Sequence, residues 1–180
     1  MNERVLVTGD ESGGALALAE VSVAAGWEGE PLHHHECDET IHVLAGEVTF
    51  RLGDAVRTGA ESDGRVAVMD NRVGADAGGP PLHRHDFDEA FYVLAGELTF
   101  RLGDDRMVRR SGELAFVPRG AAHTFANFSG AEARQLIICT PAGFERYFQR
   151  MAAREAGVEP PPEALEPWPE VTTLGPPLQP

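Results

Sequence analysis

Apolar residues in this chain recur mainly with a period of two, in short runs punctuated by glycine, proline and aspartate. Strand-like runs lie at Arg65–Asn71, Glu89–Leu94, Leu98–Leu102, Leu114–Val117, His123–Asn127 and Arg134–Thr140. Short strands at this spacing predict an all-β chain folded as a barrel or a double-sheet jelly roll. After Thr140 the period becomes helical: Phe144, Tyr147, Phe148 and Met151 fall at i, i+3, i+4 and i+7. Thr140-Pro141 reads as the N-cap and first residue of that helix, and Gly157 as its stop. The stripe is expected to cover the barrel or to pair with another subunit. From Pro160 onward the chain holds eight of its thirteen prolines and no period survives. An extended or disordered tail is expected there, with Trp168, Val171 and Leu174 as its anchors.

The strand pattern is also repeated at an offset of fifty residues. Thr8–Asp54 aligns with Thr58–Asp104 without a gap and with 26 identities in 47 positions. Pro31-Leu32-His33-His34-His35 returns as Pro81-Leu82-His83-Arg84-His85, and Val43–Asp54 returns as Val93–Asp104 with one change. Each copy therefore encodes the same supersecondary unit. Only the second copy is directly contiguous with the remaining half, Gly112–Thr140, so it is expected to build the complete barrel. The first copy, with strands near Ala15–Val23, Thr40–Leu44 and Val48–Leu52, is half a barrel with an open edge. Three segments are expected: an incomplete copy over 1–54, a complete barrel over 55–142, and a helix with a Pro-rich tail over 143–180.

Chemistry enters with the histidines. His83, His85 and Glu89 precede the run Ala90–Ala95, and His123 follows the punctuation Gly112, Pro118 and Gly120. Strand alternation puts His83 and His85 on one face, and Glu89 falls on the same parity if the strand continues. Imidazole and carboxylate together suit a divalent first-row transition metal. His33, His35 and Glu39 repeat the triplet in the first copy, but a second metal site there would need His34 or His42 as its fourth ligand. Phe91 and Val93 share parity with Glu89, and Phe125 with His123. They would either wall a substrate pocket or fill the barrel core. Tyr92, Asn127 and Arg119 are polar candidates at the rim, Asn127 more as a residue that fixes a turn. Cys139 ends an apolar run as a buried strand residue. Cys37 lies among the first-copy candidates as a spectator thiol or a thiolate ligand, and two cysteines make no disulfide framework.

These two segments resemble the paired motifs of the cupin superfamily. The first fits H-x-H-x3-E-x6-G at His83, His85, Glu89 and Gly96. The second fits G-x5-P-x-G-x2-H-x3-N at Gly112, Pro118, Gly120, His123 and Asn127. Ala77 stands where a glycine is expected before the first motif, with Gly78 and Gly79 beside it. The resemblance covers about residues 58–148. It implies a cupin-type double-stranded β-helix holding one divalent metal (Fe, Mn, Ni, Cu or Zn) at His83, His85, Glu89 and His123. His83–Gly96 and the helix entry Thr140–Glu145 look like small bacterial cupins grouped with quercetin dioxygenases. That implies a dioxygenase-type oxidoreductase on a small aromatic or enolic substrate. By its own chemistry Glu89, if it loosens from the metal, becomes the catalytic carboxylate base beside that substrate. A redox-neutral cyclase or isomerase and a non-catalytic metal-containing binding protein are the alternatives.

Composition narrows the partners. Acidic residues outnumber basic ones 29 to 15, so neither nucleic acid nor an anionic membrane surface is expected as a partner. No apolar run reaches the roughly 18 residues of a membrane span. Met1–Asp10 lack a basic segment followed by a long apolar run, so no leader is expected and the location is expected to be cytoplasmic. A small-molecule substrate and a homodimer complete the expected partners.

Overall fold

Ala90-Phe91-Tyr92-Val93 is apolar on both parities, and a strand of that kind needs cover on both of its faces. The computed structural model, which describes residues 2–27, 36–37, 39, 41–47, 50–52, 55–57 and 64–180, provides both covers. Two antiparallel hairpins come first: β1 (Asn2–Val7) with β2 (Leu18–Ser22), and β3 (Phe50–Leu52) with β4 (Ala55–Arg57). The barrel strands follow as β5 (Ala67–Val73), β6 (Pro81–His85), β7 (Asp88–Ala95), β8 (Glu97–Leu102), β9 (Asp105–Arg110), β10 (Leu114–Val117), β11 (His123–Ala126) and β12 (Ala133–Thr140). The chain ends with α1 (Glu145–Ala156), a 3-10 turn (Pro162–Leu165) and β13 (Val171–Pro177).

These strands make two facing sheets, ordered β10-β7-β12-β5 and β13-β6-β11-β8-β9. Phe87, Phe91, Val93, Leu98, Phe100, Val117, Ile137 and Cys139 fill the space between them. On the outer face of the first sheet a second cluster, Ala90, Tyr92, Leu136 and Ile138, is covered by Leu6 and Leu18 of the β1–β2 hairpin. The all-β jelly-roll expectation holds, and the N-terminal hairpin explains why β7 is apolar on both faces.

Three local expectations need correction. Thr140 does not cap the helix, because it is still a strand residue paired with Asp88. The helix starts at Glu145, whose carboxylate accepts the Gly143 N–H at 2.5 Å. Its stop is as expected: Gly157 has the left-handed φ of 67° that ends the helix. The stripe splits between barrel and solvent, with Phe144 and Phe148 packed on the inner cluster and Tyr147 and Met151 exposed.

The Pro-rich tail is not without structure. Residues 171–177 form β13, which pairs with the outer edge of β6, Val171 opposite His85 and Thr173 opposite His83. An open edge is a site for unwanted pairing, and an edge strand tolerates the prolines at positions 176 and 177.

The third correction concerns the first copy. Its expected strand over Thr40–Leu44 is not formed at Ile41–Leu44, which is irregular, with Ile41, Val43 and Leu44 exposed. Thr40, His33, His34 and His35 lie outside the described residues. The copies do share one hairpin. Phe50 faces Arg57 and Leu52 faces Ala55, as Phe100 faces Met107 and Leu102 faces Asp105.

Candidate metal centre

Each ligand-type side chain is aimed by the strand that carries it. β6 and β11 are antiparallel neighbours with His123 directly opposite His83, and alternation turns His85 to the same inward face. Ring centroids are 4.3 Å apart for His83 and His123, 4.7 Å for His85 and His123, and 5.7 Å for His83 and His85. One nitrogen of each ring lies within 4.8 Å of the other two. Glu89 enters from the facing sheet. Its Oε2 is 3.2 Å from His85 Nε2 and 3.1 Å from His123 Nε2. The structure thus brings together all four residues that the spacing singled out, and it buries all four.

The far side of each imidazole is also fixed. Nδ1 of His83, His85 and His123 faces the carbonyl oxygens of Pro81, Phe87 and Ala121 at 2.7, 3.0 and 2.9 Å. A carbonyl accepts and does not donate, so each Nδ1 carries the proton and a neutral ring turns an Nε2 lone pair inward. Burial holds His83 below its ordinary pKa, which favours that neutral form. For Glu89, burial alone would raise the carboxyl, but in the metal-free site a proton shared with the Nε2 atoms of His123 and His85 outweighs it and holds the group below the usual carboxylate range. The result is inward lone pairs facing a carboxylate oxygen at about hydrogen-bond distance. Such atoms repel unless a proton or a cation lies among them, so this donor set fits a divalent transition metal.

The family comparison agrees with this geometry. The cupin domain model matches residues 71–139. Residues 71–139 are a cupin domain. No curated protein sequence matches the chain. Among solved structures the chain is similar to TT1209 from Thermus thermophilus, at 27% identity over 47% of this chain and 79% of that one, with a TM-score of 0.43. It is also similar to the polyketide cyclase RemF from Streptomyces resistomycificus, at 29% identity, covering 42% and 54%, with a TM-score of 0.39. A cupin-superfamily sugar phosphate isomerase from Silicibacter pomeroyi shows 26% identity, covering 42% and 50%, with a TM-score of 0.40. The chain spans about half the length of these last two.

Within the cupin domain, the turn between β10 and β11 is tied to the first motif at two points. Gly120, at a φ of 77°, donates its N–H to the His85 carbonyl at 2.7 Å. Arg119 grips the buried Asp88 through its backbone N–H at 2.9 Å and its guanidinium at 3.0 and 2.5 Å. Arg119 is therefore a brace between the motifs. Asn127, fully buried, donates to the Val73, Gly74 and Ala131 carbonyls and accepts from Ser129, so it fixes turns as expected. At Gly79 an added Cβ would lie 1.7 Å from the Phe125 carbonyl oxygen. The glycine that this approach demands is thus present two residues beyond Ala77.

Tyr92 is not at the rim of the imidazole site. It faces outward, donates to Glu20 at 2.7 Å and lines a groove of about 570 Å³ with Arg4, Glu20, His42, Ser111 and Arg134. That groove lies on the opposite face of β7 from Glu89; Arg4 pairs with Glu20 within it, and Arg134 pairs with Asp70 outside its lining. Phe91 and Val93 are buried in the inner cluster, and Phe125 packs half-buried against it. The ring of Phe91 is 6.3 Å from that of His123 and 5.4 Å from that of Phe125. Of the first-copy candidates, Glu39, His42 and Cys37 are exposed.

Three contacts of the site were not read from the sequence. Phe87 stacks on His85 with ring centroids 3.5 Å apart, and Phe144 packs on Phe87 at 5.3 Å. Asp88 anchors Arg119. Cys139 faces Glu89 across the β12–β7 ladder, with Sγ 3.8 Å from Oε1. Only the first had a signal, an aromatic two residues after His85. The others depend on the register between distant strands.

Proposed function

We propose that His83, His85, His123 and Glu89 hold one divalent transition-metal ion (Fe, Mn, Ni, Cu or Zn), and that the protein is a dioxygenase-type oxidoreductase acting on a small aromatic or enolic substrate. The observation that carries the metal reading is the convergence of three inward Nε2 atoms whose Nδ1 partners are all backbone carbonyls. When bound, the ion would polarise an enolate or phenolate oxygen and bring dioxygen beside it. The three imidazoles add no charge, so one carboxylate leaves the site positive and attractive to an anionic substrate.

Glu89 is the proton acceptor of this reading. Its Oε2 is the carboxylate oxygen nearest the imidazoles, and it is the atom that would take the proton from an enol or phenol hydroxyl. Phe87, Phe91 and Phe125 keep the surroundings apolar, which strengthens charge interactions and excludes water. Both oxygen atoms of dioxygen enter the product of such a reaction, so no external reductant is needed.

The test is oxygen uptake by metal-loaded protein offered enols, phenols and 1,3-dicarbonyls, beside His123→Ala. Uptake coupled to substrate loss and abolished in the variant supports the proposal. Substrate conversion without oxygen uptake would replace it with a cyclase or isomerase. Thermal stabilisation by such compounds without turnover would replace it with a binding protein.

A further inference from the structure

The two oxygens of Glu89 have different neighbours. Oε2 lies between the imidazoles of His85 and His123. Oε1 lies toward the neighbouring strand of the same sheet, where Cys139 is the residue directly across the ladder on β12. Cys139 is fully buried, and its Sγ lies 3.8 Å from Oε1, within the longer reach of a sulfur hydrogen bond. A carboxylate only accepts, so the thiol hydrogen must be the donor.

We propose that Cys139 is a positioning residue for Glu89: its thiol holds Oε1 and so reserves Oε2 for the ion. This rests on the metal reading above. The consequence is a carboxylate that meets the ion through one oxygen and is kept from rotating to offer both. A ligand held this way can release the ion and return to the same place, which a base acting beside a bound substrate requires. Cys139 neither touches substrate nor ligates the ion in this arrangement. Its effect travels through Glu89 alone.

Two substitutions separate the donor from the apolar packing. Cys139→Val keeps an apolar side chain, one carbon larger, without a donor, and Cys139→Ser keeps a donor in a slightly smaller side chain. The measurement is a cobalt titration of the metal-stripped full chain, following affinity and the visible ligand-field spectrum, with circular dichroism to confirm folding. Cys139→Val is expected to weaken cobalt binding about three- to tenfold and to shift the spectrum, since the thiol is a weak donor. Cys139→Ser is expected to retain the wild-type spectrum and affinity within about twofold. A Cys139→Val protein with wild-type spectrum and affinity would overturn the proposal. So would a serine variant as impaired as the valine one. His123→Ala is the control for the underlying reading: if it binds cobalt as wild type does, the metal centre itself is wrong, whatever Cys139 does.

Discussion

Val43 and Val93 occupy the same place in two copies of one sequence, yet Val43 is 40% exposed and Val93 is fully buried. Both sit in an identical Val-Leu-Ala-Gly-Glu run. Local propensity is therefore equal, and the difference must come from what surrounds each run. The second copy is followed by Gly112–Thr140, which supplies β10, β11 and β12 as partners. It also carries the larger core residues. Phe87, Phe91 and Leu98 are buried in the inner cluster, where the first copy has Cys37, Ile41 and Val48. We propose that the repeated ligand triplet is not a repeated site. Ligand spacing becomes a metal centre only where a contiguous partner half and enough apolar volume close the barrel round it.

The sharpest way to break this contrast is to give the second copy the first copy's core. Phe87→Cys removes a fully buried ring and is expected to cost about 3 kcal/mol, read as a lower midpoint in urea unfolding. The reverse change, Cys37→Phe, falls on an exposed residue and should leave the midpoint within about 0.5 kcal/mol. Equal effects would mean that both copies contribute a core.

A smaller loss is expected from the brace between the motifs. Arg119→Ala leaves the Asp88 carboxylate buried without its guanidinium and should cost about 1–3 kcal/mol in the same assay. No change would show that the guanidinium pair is solvent-screened and that the turn carrying His123 is held by the backbone N–H groups of residues 119 and 120.

Much of this was legible in the sequence, and the boundary is physical. The four ligand-type residues, the strand parity of Phe91 and Phe125 and the stop at Gly157 are local properties, and the structure has them where the spacing put them. β13 was missed because its prolines argue against a strand, although an otherwise bare β6 edge favours one. β9 was missed because Arg106, Arg109 and Arg110 interrupt its apolar alternation, and its pairing with β8 comes from the turn at Gly103. The covering hairpin, the Asp88–Arg119 brace and Cys139 against Glu89 are tertiary facts with no periodic trace.

The tail offers a further test, on the second copy. Ending the chain after Glu170 removes β13 and bares the edge of the strand that carries His83 and His85. Metal affinity should fall about tenfold, and the exposed edge should promote self-association in size-exclusion chromatography. Unchanged affinity would make β13 a passive cover.

Acid should separate the copies more gently. Burial depresses His83 below its ordinary value of 6.5. A depressed pKa means that stability is complete above the ordinary value and is lost as pH falls from there toward the folded value. Glu89 is also depressed, so its contribution is present above 4.5 and is lost below it. Metal-free protein should therefore lose melting temperature below about pH 6.5 and again below about pH 4.5. His83→Gln should flatten the upper limb, whereas His33→Gln should not.

The central claim is that one copy, and not two, makes the metal centre. Elemental analysis of the purified full chain tests it directly when wild type is set beside His83→Ala/His85→Ala and His33→Ala/His35→Ala. The account predicts about one equivalent of a transition metal per chain in wild type and in the first-copy variant, and none in the second-copy variant. Two equivalents in wild type, or metal retained after His83 and His85 are removed, would contradict it.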